Sequence, residues 1–112
     1  MALFQKSFDS YLVYYRCGPD GVGPWAGGYR ALVNCYAANS YVGGLRFLAE
    51  GVALPANTGG PNSIELHYPV SALSDILGIL RYEKPLRLDF HDDTLVGVLS
   101  TTAEPIGEQE GV

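Results

Sequence analysis

An imidazole beside two carboxylates occurs at His91-Asp92-Asp93, inside "LRLDFHDDTLVGVLS", residues 86–100. Such a triplet can ligate a metal or shuttle protons near neutral pH. Its neighbours argue otherwise. Leu86, Leu88 and Phe90 alternate with Arg87, Asp89 and His91, the period breaks at Asp92-Asp93, and Thr94 to Thr101 resumes as a β-branched run. Strand, two-residue polar tip, strand is the pattern of a hairpin, so the triplet is expected to be its solvated tip. A structural zinc site takes four nitrogen or sulfur ligands, and the chain offers only His67, His91, Cys17 and Cys35. No metal and no cofactor are expected.

A wider set is Glu65, His67, Arg87, Asp89 and His91, on the polar sides of two expected strands. If those strands were neighbours, two imidazoles and two carboxylates would share one patch suited to general acid–base chemistry. A small hydrolase or lyase using His67 and His91 with Asp89 or Glu65 is therefore one expectation. A solvated sheet face with cross-strand ion pairs is the plainer alternative. The sequence has no GxSxG, HExxH, GxxxxGK or CxxC, so no catalytic residue is assigned by motif.

"GPDGVGPWAGG", Gly18 to Gly28, is too rich in Gly and Pro for regular structure. It has no GxGxxG, no following helix and no lysine, which separates it from phosphate-cradling loops. Trp25 in this loop either folds back on the core or makes contacts. Together with Tyr29, Tyr11, Tyr14, Gly23 and Gly27 it is the expected ligand- or partner-binding set.

Strands and one helix must position these groups. Phe8 to Cys17 reads as a strand with Tyr11, Val13, Tyr15 and Cys17 on one face and Leu12, Tyr14 and Arg16 on the other; aromatics on both faces predict a central or two-sided strand. Tyr29 to Ala37 and about Tyr41 to Ala49 form a hairpin around "AANS", and Gly43-Gly44 predicts a bulge or a close backbone approach. Residues 50–62 are loop, Ser63 to Tyr68 is a fourth strand, and Pro69 ends it. Leu73, Ile76, Leu77 and Leu80 make one amphipathic helical stripe, with Ser71 as N-cap and Pro85 as stop. The order β-β-β-β-α-β-β predicts an α+β fold: a mainly antiparallel sheet of five to six strands with the helix packed on one face.

The length, 112 residues, fits one domain, expected over residues 1–102, with an acidic flexible tail over 103–112. The net charge is −5, and Glu104, Glu108 and Glu110 supply three of the 12 acids. An acidic chain without a Lys/Arg cluster neutralises phosphates poorly, so neither nucleic acid nor an anionic membrane is an expected partner. No stretch approaches the length of a membrane span or a signal h-region, and the chain is expected to be cytoplasmic. Pairing the first two strands around the glycine loop sets Cys17 opposite Tyr29 and Cys35 opposite Tyr11, too far apart for a disulfide. Both thiols are expected free and buried.

"IELHYPVSALSDILGILRYEKPLRLDF" with "LSTTAEPIGE" resembles a group of short uncharacterised bacterial proteins. The resemblance covers the C-terminal half and brings no activity, cofactor or site. It implies a bacterial or phage cytoplasmic protein.

Small size, no catalytic motif and a near-neutral body lead to a non-enzymatic binding protein. It is expected to engage a protein partner or itself, as a homodimer, through a sheet edge or the Trp25 loop. The alternative is a binder of a ring-bearing metabolite or nucleotide, stacked on Trp25 and the tyrosines.

Overall fold

Alternation of apolar and polar residues dominates the chain, and the computed structural model folds it into two sheets that share one core. Residues 2–17, 27–83 and 86–101 are described. The strands are β1 (Leu3–Phe8), β2 (Ser10–Tyr15), β3 (Tyr29–Ala37), β4 (Ser40–Leu48), β5 (Thr58–Gly59), β6 (Ile64–Pro69), β7 (Leu86–His91) and β8 (Val96–Thr101). A 3-10 turn, Val70–Ala72, leads into α1 (Leu73–Tyr82). The fold is α+β and mostly antiparallel, with one helix among the described residues.

One sheet has the order β1-β7-β8 and the other β2-β3-β4-β6-β5. β1 and β2 are consecutive, separated only by Asp9. The same stretch therefore serves both sheets: Phe8 pairs with Leu86, whereas Ser10 pairs with Tyr36. The Asp9 N–H already donates to Tyr36 O at 2.9 Å, so the exchange of partners is complete within one residue. β1 was not legible as a strand, because Lys6 interrupts its Phe4–Phe8 face. The two-residue β5 is also additional.

Tyr11 pairs with Cys35 as the alternation predicts. β4 pairs antiparallel with β3 and parallel with β6. β6 and β7 are not paired, so α1 carries the chain from one sheet to the other instead of joining neighbours. Its Leu73, Ile76 and Leu80 enter the core. Ser71 is not the N-cap: it lies in the 3-10 turn, where its N–H donates to Glu50 Oε2 at 3.1 Å, and Ala72 occupies the cap position.

Ala31, Val33, Cys35, Leu45, Phe47, Ile64, Leu66 and Leu88 are buried between the sheets. Glycines set the separation. A Cβ at Gly97 would lie 2.0 Å from Leu66 Cδ2, and one at Gly43 would lie 2.2 Å from Ile64 O and 2.7 Å from Leu88 Cδ1. Of the two alternatives expected at Gly43-Gly44, the close approach is found there, whereas the bulge falls one residue earlier, at Val42. The backbone approach is close, and Val42 is an extra residue between the pairs Cys35–Gly43 and Tyr36–Tyr41.

Of the two free thiols, Cys35 is buried and Cys17 is exposed, which corrects the expectation of two buried groups. Cys17 lies beyond the end of β2, where the core no longer covers it. Burial, reinforced by the Glu65 carboxylate, pushes the Cys35 thiol up to about 12. A disulfide reagent at neutral pH should label Cys17 alone in the native protein and both cysteines in denaturant; rapid native labelling of both would contradict the packing.

Gly97→Ala should destabilise the protein by about 1–3 kcal/mol through overpacking against Leu66. Gly78, in α1, has open space where a Cβ would sit, so Gly78→Ala should stabilise by about 0.5–1 kcal/mol. Urea titration of both variants checks the opposite signs.

Candidate functional site

The acid–base set is divided between the sheets. Ile64 and Leu66 on β6, and Leu86, Leu88 and Phe90 on β7, all turn into the shared core. By strand alternation Glu65 and His67 face out from the five-stranded sheet, and Arg87, Asp89 and His91 face out from the three-stranded one. His67 and His91 thus lie on opposite outer faces, and the structure does not assemble the patch that adjacent strands would have made.

Each half has its own local partners. Arg87 clasps Asp89 through Nε and Nη2 at 2.7 and 3.2 Å. Asp92 and Asp93 belong to the turn 92–95 that joins β7 to β8, a four-residue tip instead of a two-residue one. This turn is tied down by Asp92 N–H to Ala2 O and Leu95 N–H to His91 O, at 3.0 and 2.9 Å. Among the described residues no group of three or more His, Cys, Asp or Glu side chains is placed to hold a metal ion.

On the five-stranded sheet, Glu65 accepts from Tyr41 Oη at 2.6 Å and from Arg46 Nε at 3.0 Å. Gly44 makes room for this cluster, since a Cβ there would lie 2.9 Å from both Glu65 Oε1 and Tyr41 Oη. Burial, then the hydrogen bond and charge of Glu65, push the Tyr41 phenol above its ordinary value. The Tyr29 ring lies 6.3 Å from the His67 ring, and the Tyr36 ring 6.0 Å from the Tyr41 ring in an edge contact. Asn57 fastens the neighbouring backbone: it accepts from His67 N–H at 2.8 Å and donates to Leu95 O at 3.1 Å. Tyr41, Arg46 and Asn57 were not legible as members of this face, because the parallel β4–β6 pairing that gathers them is long-range.

The expected binding set is only partly described. Trp25 and Gly23 lie outside the described residues. Gly27 is exposed at φ 96°. Tyr11 turns toward the core opposite Cys35, and Tyr14 turns outward opposite Leu32. With the Tyr29 ring against His67, these three tyrosines form no common wall.

What the structure exposes instead is β2 itself. It is an edge strand, not the central or two-sided strand that its aromatic faces predict. Tyr15 is 68% exposed, Leu12 51%, Tyr14 44% and Val13 42%. No charged residue occurs between Asp9 and Arg16, whereas natural edges are usually guarded by charge, proline or a covering element. The backbone parity is fixed as well. Arg16 N–H donates to Arg30 O at 2.9 Å, so by antiparallel alternation Leu12 and Tyr14 bond to β3. Tyr11, Val13 and Tyr15 direct their N–H and C=O groups to the open side. β7 begins at Leu86, opposite Phe8, and offers β2 no partner on that flank.

An open groove of about 480 Å³ lies between α1 and β8, lined by Asp75, Gly78, Ile79, Tyr82, Leu99 and Thr101. Glu83 completes its lining. Among the described residues no helix is long and apolar enough to cross a membrane. No known protein family, curated protein or solved structure matches the chain.

Burial, followed by the Arg46 charge, lowers the His67 value from its ordinary 6.5. Its Nδ1 is enclosed and has no hydrogen-bond partner among the described residues. The folded protein therefore holds His67 neutral where the unfolded chain would protonate it. Stability should fall as the pH drops below 6.5, down to the lowered folded value. His67→Gln should reduce that fall, read by urea titrations at about pH 7 and about pH 5; equal falls in both proteins would contradict it.

Proposed function

We propose that this protein is a non-enzymatic protein-binding module that accepts an extended strand along β2. The single observation that carries the proposal is the exposed, uncharged edge Ser10–Tyr15, with Tyr11, Val13 and Tyr15 presenting backbone donors and acceptors. Main-chain hydrogen bonds supply affinity in such strand addition, and side-chain contacts on alternate positions supply selectivity. Here Leu12 and Tyr14 would contact alternate residues of the guest on the outer face, and Val13 and Tyr15 the others. Tyrosine is enriched at protein interfaces because it combines apolar area with a polar tip. A reducing, cytoplasmic setting agrees with two unpaired cysteines.

Selection of random eight-residue peptides on the protein tests this. Binders should be extended, uncharged sequences rich in aromatic and β-branched residues. Val13→Pro removes an outward N–H without touching the β3 ladder and should weaken them at least tenfold. Tyr15→Lys, a milder edge guard, should weaken them in the same direction if the proline variant fails to fold. Binding that survives both substitutions, or failure of every extended peptide to bind, would overturn the proposal.

A further inference from the structure

We infer that the strand accepted by β2 is the β2 of a second copy, paired antiparallel about a two-fold axis at Val13; this rests on the strand-accepting edge proposed above. In an antiparallel pair related by a two-fold axis normal to the sheet, a residue meets its own counterpart at the axis. The outward-directed residues are Tyr11, Val13 and Tyr15, and Val13 is their centre. A Val13–Val13 register therefore sets Tyr11 opposite the second copy's Tyr15, and every outward N–H and C=O of these residues has a partner. Side chains match on both faces: valine meets valine and tyrosine meets tyrosine on the core side, and Leu12 meets Tyr14 on the outer side. The two five-stranded sheets become one.

Charge favours this direction. Asp9 stands at one end of β2 and Arg16 at the other, Arg16 being buried with its Nε donating to Tyr29 O at 3.0 Å, so that its charge acts through the fold and not by a contact across the seam. Antiparallel pairing brings opposite charges to the same end, whereas parallel pairing would bring like charges together. The uncharged run between them lets two acidic molecules meet without opposing side-chain charges at the seam. Area sets the strength. A tyrosine side chain carries roughly 150–250 Å², so Tyr15 and Tyr14 at 68% and 44% exposure offer roughly 170–280 Å² per copy. With Leu12 and Val13 added, the seam stays below the roughly 800 Å² per partner of a standard interface. The dimer should dissociate on dilution.

Light scattering of the full chain, from low micromolar to high micromolar concentration, should show the mass rising toward twice the monomer. In a Cys17→Ser background, Val13→Cys should form a disulfide-linked dimer under mild oxidation, since hydrogen-bonded pairs hold Cα atoms about 5.5 Å apart. Tyr11→Cys alone should not cross-link, and an equimolar mixture of Tyr11→Cys and Tyr15→Cys should. A chain that stays monomeric yet binds extended peptides in a Val13-dependent way overturns the self-pairing and leaves the open edge standing. A monomer that binds no such peptide overturns both. A dimer that survives Val13→Pro, or that cross-links through Tyr11→Cys alone, places the contact elsewhere or in another register and overturns the inference.

Discussion

One backbone segment, Leu3 to Tyr15, is shared between two sheets, and much of the architecture follows from that constraint. Its first half lies against β7 and its second against β3, with the exchange at Asp9. Because the segment is continuous, the two sheets are held together at that corner. Their remaining surfaces then close over Leu45, Phe47, Leu66 and Leu88. The close approaches at Gly43 and Gly97 follow from that closure, as does the role of α1 in seating Leu73, Ile76 and Leu80 in the core. The corner also opens a flank. β7 starts opposite Phe8, so β2 continues past its end with one side bonded to β3 and the other side free among the described strands.

The polar features that attract attention as chemistry have structural partners of their own. Glu65 is engaged by Tyr41 and Arg46, Asp89 by Arg87, and the acidic turn after β7 is tied to Ala2 and closed on itself. The Glu65 contacts run between strands, the Arg87–Asp89 pair lies within β7 with Asp89 buried, and the last closes a turn; the exposed ones are each worth about 0–1 kcal/mol. The exception is His67. It is packed beside Tyr29 and Arg46 with one ring nitrogen enclosed, which makes it a point of acid sensitivity in the fold. The apolar side chains Leu12, Val13, Tyr14 and Tyr15 of β2 are instead exposed.

Legibility in the sequence followed the range of the interactions. Alternation within strands is local, so the register that sets Tyr11 opposite Cys35 could be read directly. So could the helical stripe from Leu73 to Leu80 and the close approach at Gly43. β1 was obscured by Lys6, whose position within a Phe4–Phe8 face looks like a break but is only partly covered in the fold. Ser71 has the chemistry of an N-cap, yet the preceding 3-10 turn moves the helix start past it. β2 is the most instructive case. Apolar residues on both faces are the signature of a strand buried on both sides, and the exposed edge strand β2 carries the same signature. Only the tertiary arrangement, in which β7 starts opposite Phe8 and does not run alongside β2, distinguishes them. The parallel β4–β6 pairing that builds the Tyr41–Glu65–Arg46 cluster spans a Gly/Pro-rich loop and left no local trace.

Amide hydrogen exchange along β2 at two protein concentrations tests the open edge most directly. In dilute solution the Leu12 and Tyr14 amides should be protected by β3, while those of Tyr11, Val13 and Tyr15 exchange as free groups. At high concentration the odd-numbered amides should become protected as well. Protection of Tyr11, Val13 and Tyr15 that is already complete in dilute solution would mean that the chain covers its own edge and would contradict the account; free exchange at every concentration would leave the edge open and contradict only its pairing with a second copy.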